Sequence, residues 1–483
     1  LTQQPQTERI KLRKAFEIGF GESSAELVID KLPIRGKLPS WLEGSLIRNG
    51  PGTFNVGKQS YRHWFDGLAM LHKFSFKNGM VSYANKFLRC KAYDEARKTG
   101  KISYSEFATD PCYGIFDRVK EVFSPRITDS AKVNVARIYN KFVALGEPSM
   151  QIEFDPETLE SLGVFFYDGK PNQHITTVHP HFDQVKNEII NLTVRFGRVS
   201  SYRFMRVNNS ETRDLLAKHP VKEPAYQHSF GMSPNYFILT EYPFVVNPLK
   251  VLFKAKPFIE NYVWKPERGA RIFIFDRNAG KLIKQERTDA FFAFHHINAF
   301  EINNELFFDI AAYPDPGIIE SFYLDKIKSE EKKLPGGEIR RYRINLNKKD
   351  SVDYSRLSDE GIELPRFDYD ELNMSKGYKF IYAVGISSKS KNSFYDQIVK
   401  SDIQSGLSKT WFADGCWPGE PVFVKKPSAS KEDEGVILSV VLDENKGNSF
   451  LLVLDAESFG EIARAEIPQP VLFGYHGNFY GTN

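Results

Sequence analysis

Apolar and polar positions alternate with a period of two along most of this chain, in short runs broken by Gly, Asn, Asp and Pro. Such runs predict half-buried strands joined by tight turns. Met70 to Phe76 is one strand, followed by a hairpin turn at Lys77-Asn78-Gly79. Ser40 to Gly52 predicts another, closed by the turn-rich Asn49-Gly50-Pro51-Gly52. Gly435 to Leu442 is apolar almost throughout and predicts a buried strand. One pattern recurs, a strand that ends at Asp and returns through small polar residues. It is found at Ile152 to Leu159, Ile272 to Gly280 and Leu452 to Gly460, with a weaker copy at Ile398 to Gly406. Asp suits the turn because its carboxylate bonds its own backbone two residues on. Repeats of this kind predict an all-β fold built as a β-propeller, with unrelated hairpins in a sandwich as the alternative. The copies are unevenly spaced, so helical or looped insertions are expected at 208–220, 317–337 and 347–361, forming a cap over one face.

Length alone suggests two to four domains, but a repeat architecture makes 1–483 a single domain. Forty Phe and 22 Tyr predict an aromatic interior able to line a long apolar cavity. The net charge of +4 is scattered among acidic residues and gives no footprint for nucleic acid. Cys90, Cys112 and Cys416 lie far apart with no CxxC pair, which argues for a reducing, cytoplasmic setting. Leu1 rather than Met opens the chain, and Gln3, Gln4, Glu8, Arg9 and Lys11 contain no apolar signal-peptide core. No run is apolar enough to span a bilayer. Two segments suggest peripheral contact instead. In 242–264, Phe244, Val245, Val246, Leu249, Val251, Leu252, Phe253, Phe258 and Ile259 are interleaved with Lys250, Lys254 and Lys256. In 111–127, apolar residues from Cys112 to Phe123 fall at helical spacing. An ordinary amphipathic element over the core is the competing reading of both.

Four apolar stretches carry histidine: Val178-His179-Pro180-His181, Tyr226-Gln227-His228, Phe294-His295-His296-Ile297 and Tyr475-His476-Gly477. Imidazole is the commonest ligand for zinc, copper, iron and nickel. Residues 179, 228, 295 and 476 are too far apart in sequence for any two to share a helix. A propeller would place each on a different blade, converging on the axis. Any one of them taken singly reads as a hydrogen-bonded core residue; four together point to a metal.

Several of these stretches are motifs of one family. Arg48-Asn49-Gly50-Pro51, Phe65-Asp66-Gly67, His179-Pro180-His181, His228-Ser229-Phe230-Gly231, Phe294-His295-His296-Ile297-Asn298, Glu420-Pro421-Val422-Phe423-Val424 and His476-Gly477 occur in order over nearly the whole chain. The chain resembles the carotenoid cleavage oxygenases, in the branch of the animal carotene oxygenases and the retinoid isomerase of the visual cycle. The resemblance implies seven blades, with Fe(2+) on the axis held by His179, His228, His295 and His476. It assigns His296 to packing, and excludes His181 and the surface-like His63, His72, His174 and His219 as ligands. Glu147, Glu363 and Glu420 match three glutamates behind the imidazoles, and Phe65, Phe107, Tyr226 and Tyr313 match positions of the substrate tunnel. The implied reaction is oxidative cleavage of a conjugated C=C bond of a carotenoid or apocarotenoid by O2, without organic cofactor, on a substrate drawn from a membrane surface. Gly146 replaces a larger side chain and implies a roomier coordination position. Asp110-Pro111-Cys112 is similar to the isomerase branch and keeps a retinoid isomerohydrolase as an alternative. A stilbene-cleaving dioxygenase, favoured by a polar tunnel end, and a non-catalytic binding platform are the others.

Overall fold

Each of the four Asp repeats forms a hairpin of an antiparallel sheet in the computed structural model, which describes residues 14–23, 25–111, 128–147, 150–167, 175–208, 212–252, 256–329, 333–369, 377–389 and 393–482. Asp155 Oδ1 accepts from the backbone N–H groups of Glu157 and Thr158, both at 2.8 Å. Asp276 does the same with Asn278 and Ala279, and Asp402 with Gln404 and Ser405. Asp455 takes the Ser458 N–H and hydroxyl, both at 2.7 Å. These bonds satisfy turn amides that would otherwise need water, which is why the residue recurs.

Seven blades follow from the sheet order. The first contains Gly44–Thr53, Leu68–Lys77 and Met80–Phe87, and the hairpin between the last two turns through Asn78 and Gly79, both at positive φ. Three more blades lie within 134–165, 175–221 and 231–288. A seven-stranded sheet, Phe292–Ile302 to Ser408–Phe412, is two blades sharing one long strand, Val352–Arg366. Its start pairs with Gly337–Asn345 (Tyr342↔Tyr354) and its end with Phe380–Gly385 (Ile362↔Gly385). The last blade holds Val422–Lys425, Gly435–Asp443, Asn448–Asp455 and Glu461–Ile467. Both chain ends close the ring. Ile34–Gly36 completes the last blade (Ile34↔Ala465), and Gly477–Gly481 completes the first (Arg48↔Gly477). Gly477 is obligatory there, since a Cβ would lie 2.5 Å from Arg48 Cγ and 2.7 Å from the Ile47 carbonyl.

Gly435–Asp443 is buried along its whole length, as its composition predicts, and 317–337 carries two short helices, Gly317–Ser321 and Leu324–Ser329. Other expectations need correction. Asn49-Gly50-Pro51-Gly52 is not a turn, because the strand runs through it to Thr53. Asn49 Nδ2 instead spans to the carbonyls of Ala131 and Asn134, tying the first blade to the second. The proposed insertions at 208–220 and 347–361 contain strands, Arg213–Val221 and the start of Val352–Arg366, whose polar residues reflect exposure at a blade edge. In 242–264, Phe244, Val245, Val246 and Ile259 are core, whereas Leu249 is exposed on the short helix Pro248–Leu252. The helix expected over Cys112 to Phe123 lies outside the described residues. His63 and His72 are buried rather than at the surface. Among the described residues no helix is long and apolar enough to cross a membrane.

Candidate metal centre

Four imidazoles meet on the axis, each delivered by the inner edge of a different blade. His179 precedes the strand His181–Asp183, His228 precedes Gly231–Met232, His295 lies on Phe292–Ile302, and His476 precedes Gly477–Gly481. Their ring nitrogens fall within 4.8 Å of one another. The remaining three blades supply carboxylates. Glu147 Oε1 lies 2.6 Å from His228 Nδ1, Glu363 Oε1 2.5 Å from His295 Nδ1, and Glu420 Oε1 2.8 Å from His476 Nδ1. Each of the seven blades thus contributes one side chain to the centre.

The tautomers follow from these contacts. A carboxylate only accepts, so each of the three Nδ1 atoms carries the proton and donates it, which leaves Nε2 as a bare lone pair. His295 Nε2 and His476 Nε2 face each other at 3.3 Å, and His179 Nε2 and His228 Nε2 at 3.1 Å. Two lone pairs cannot bond each other, so the 295–476 approach is repulsive unless a cation lies between them. Burial pushes His179 well below the ordinary histidine range and lowers His228 and His476 too, keeping them in the neutral, ligating form. The donor set therefore fits a transition metal that accepts imidazole nitrogen.

The carboxylates are themselves held. Burial alone would raise Glu420, but Arg366 and the His476 bond bring it down to about 2. Its second oxygen accepts the Gly477 N–H at 2.8 Å. Glu363 is likewise lowered against burial by His295, the Tyr313 hydroxyl and the Leu364 N–H. Leu364 sits at φ 51°, and the strand register shifts between Glu363 and Arg366. The backbone departs from regular strand at the residue beside the carboxylate.

Beside the imidazoles opens a cavity of about 400 Å³, lined by Phe65, Phe107, Phe294, Phe322 and Tyr475. Phe65 meets the other four rings at centroid distances of 5.3 to 5.5 Å, mostly edge to face. Gly146 lines the same space. Of the four expected tunnel residues, Phe65 and Phe107 line the cavity, whereas Tyr226 and Tyr313 are not among its lining residues. Their hydroxyls reach backward, Tyr226 to Glu147 at 2.5 Å and Tyr313 to Glu363. They are part of the carboxylate shell, because a buried phenol needs an acceptor and the nearest is a glutamate.

The family model described as "Retinal pigment epithelial membrane protein" matches residues 20–481. The chain belongs to this family. It is 33% identical over 512 residues to the "Beta,beta-carotene 15,15'-dioxygenase" of Gallus gallus, covering 94% of this chain and 96% of that one. It is 32% identical to the mitochondrial "Carotenoid-cleaving dioxygenase" of Mustela putorius furo, covering 92% and 93%. A mutant of Synechocystis apocarotenoid oxygenase superposes with a TM-score of 0.87 at 24% identity, covering 97% of this chain and 99% of that one, which shares the propeller fold. A cobalt-substituted form of that oxygenase superposes at 0.85.

Sequence reasoning missed Arg366 in this family member, and named Arg48 only as part of a motif, with no role. Arg366 Nη1 stands 3.7 Å from Glu420 Oε1, and Arg48 donates to the Tyr475 carbonyl at 3.0 Å. Arg366 follows Glu363 by three residues on the same strand, but only the kink at Leu364 brings both to the centre.

Proposed function

We propose that this protein is an iron(II)-dependent dioxygenase that cleaves one conjugated C=C bond of a carotenoid or apocarotenoid, giving two aldehyde or ketone products. The observation that carries the reading is the convergence of four inward-facing imidazoles, three fixed by buried glutamates, beside an aromatic cavity. Bound at His179, His228, His295 and His476, iron(II) would supply activation of O2 beside the alkene. One alkene and one O2 give two carbonyl groups, so the atoms balance without an external reductant.

The chain's own residues contribute position and environment. Glu147, Glu363 and Glu420 hold three imidazoles in one tautomer and orientation, which strengthens them as donors. The ring wall of Phe65, Phe107, Phe294 and Phe322 grips a polyene by packing alone, selects which double bond stands beside the centre and excludes water. Entry from a lipid surface is supported by the cavity's rim. Val251, Lys256 and Phe258 line the cavity; Leu249, beside Lys250 in sequence, is 56% exposed, and Val263, paired with Val245, is 48% exposed. Apolar side chains next to lysines suit contact with anionic headgroups.

The test is iron analysis of the purified protein, then mass spectrometry of products from carotenoids, apocarotenoids, retinyl esters and stilbenes. We expect about one iron per chain and paired carbonyl products from a polyene. Release of retinol from a retinyl ester without O2 consumption would replace this reading with the isomerohydrolase one.

A further inference from the structure

The aromatic cavity has one charged corner. Lys132 and Glu106 line it, yet their side chains are only 5% and 2% exposed, and Lys132 Nζ lies 2.6 Å from Glu106 Oε2. Thr128 donates to the other carboxylate oxygen at 2.7 Å, and Lys132 reaches the Ser130 carbonyl at 3.4 Å. Behind them Asp66 accepts from Thr109 Oγ1 at 2.6 Å and from the Ala108 N–H at 3.1 Å. Burying such a pair is costly, and hydrophobic replacements of similar volume are often at least as stable. A hydrocarbon substrate gains nothing from it and must lie against it.

The capacities of the two side chains indicate what would gain. Lys132 has three donors, and its contacts to Glu106 and Ser130 employ two. The two oxygens of Glu106 offer about four acceptor positions, of which Thr128 and Lys132 take one each. A hydroxyl accepts from the ammonium and donates to the carboxylate together. A carbonyl or an ether serves only the ammonium.

We infer that Lys132 and Glu106 form a subsite for a hydroxyl on the end of the substrate, so that hydroxylated substrates are selected over their hydrocarbon parents. This rests on the dioxygenase reading above for the position of the substrate in the cavity. The hydroxyl can be an alcohol on a polyene end ring or the phenol of a stilbene. Both make the same two hydrogen bonds.

The test compares a ring-hydroxylated carotenoid, its methyl ether and its hydrocarbon parent, with 4-hydroxystilbene and stilbene as a second pair. It uses iron-loaded full-length protein. Two readouts are taken: kcat/KM, and anaerobic binding followed by quenching of tryptophan emission. A hydroxyl bonded to charged partners should favour the hydroxylated member of at least one pair by about 10- to 100-fold, with the ether, which can accept only from the ammonium, falling below the alcohol. In K132M/E106Q, which removes both charges together and leaves only a neutral amide, the ratio should fall by about 10-fold while iron content is kept. Selection for the alcohol but not the phenol identifies the ligand as a hydroxylated polyene; the reverse identifies a stilbene-type phenol. Equal binding of hydroxylated and parent compounds by the unmodified protein overturns the inference, and needs no variant that folds. So does an unchanged ratio in K132M/E106Q, which would make the pair a structural tie between the 105–110 and 128–132 segments. Absence of any cleavage with hydroxyl-selective binding intact would instead count against the dioxygenase reading.

Discussion

His295 and His296 are adjacent on one strand, and their side chains leave it on opposite faces. His295 turns to the axis, while His296 Nδ1 meets Ser229 Oγ at 3.0 Å and His296 Nε2 accepts from or donates to Thr240 Oγ1 at 2.9 Å, inside the neighbouring packing. Replacing His295 by Ala should therefore abolish iron retention, measured by metal analysis after dialysis, whereas His296→Ala should retain it at reduced stability. Full loading of the His295→Ala protein would sink the assignment. Glu420 gives a graded test. Glu420→Gln keeps the shape but presents His476 with a neutral amide, so iron affinity should fall by roughly 10- to 100-fold. Unchanged affinity would mean that the 2.8 Å contact does not tune the ligand. The four histidines stood out in the sequence by their apolar settings, and the three glutamates were assigned only through the family resemblance; the structure brings the seven side chains together. The surroundings of His63 and His72 were not legible. His63 bonds the Ile319 carbonyl across 256 residues, and His72 is buried against Tyr83 within its own sheet. A polar residue whose partner comes from tertiary packing reads as surface in any local window.

At the scale of elements, the Asp-repeat hairpins were readable because Asp155, Asp276, Asp402 and Asp455 do their hydrogen bonding within three residues. Arg213–Val221 was not, since it sits at a sheet edge where only Ala217 and Val221 are buried and alternation is faint. The segment 242–264 was half readable. Mixed apolar and basic residues describe both a core strand and a helix with an exposed face, and this stretch contains each. Phe244–Val246 is fully buried against Tyr262–Trp264 on one side of the interruption, with Leu249 and Lys250 exposed on the helix Pro248–Leu252. The lipid contact we propose therefore falls to the exposed Leu249 and Val263, which can be changed without opening the core. The double change Leu249→Ser and Val263→Ser should lower co-sedimentation with anionic liposomes and slow turnover of membrane-borne substrate. Iron content and turnover of detergent-solubilised substrate should stay as they were. Unaltered sedimentation would show that these residues face water.

At the scale of the whole molecule, the ring is closed by strands from both chain ends, so no blade is free to open alone and unfolding should be one cooperative transition. A local charge penalty is then felt globally. Burial holds His63 at about 3, partly offset by the Ile319 carbonyl and reinforced by Arg62. Burial and the Arg48 guanidinium hold His72 at about 3 as well. Both groups titrate near 6.5 when unfolded. Below that pH the unfolded chain takes up protons that the folded chain refuses, so stability is complete above about 6.5 and declines as pH falls toward 3. Between pH 7 and 5 each histidine should cost up to about 2 kcal/mol, or about 4 kcal/mol for the pair, against a total of about 5–15 for a folded domain. Asp66 works in the opposite direction. Burial raises it to about 7, so the folded state gains a proton over the same interval and regains part of the loss. The histidine contribution is isolated by difference, with urea unfolding at pH 7 and pH 5 of the unmodified protein and of a His63→Gln, His72→Gln double variant. The variant should lose about 4 kcal/mol less on acidification, because glutamine does not titrate and Asp66 is common to both. An identical loss in the two proteins would mean that these imidazoles are protonated inside the fold, with water reaching the packing between the first blade and the Gly317–Ser321 helix.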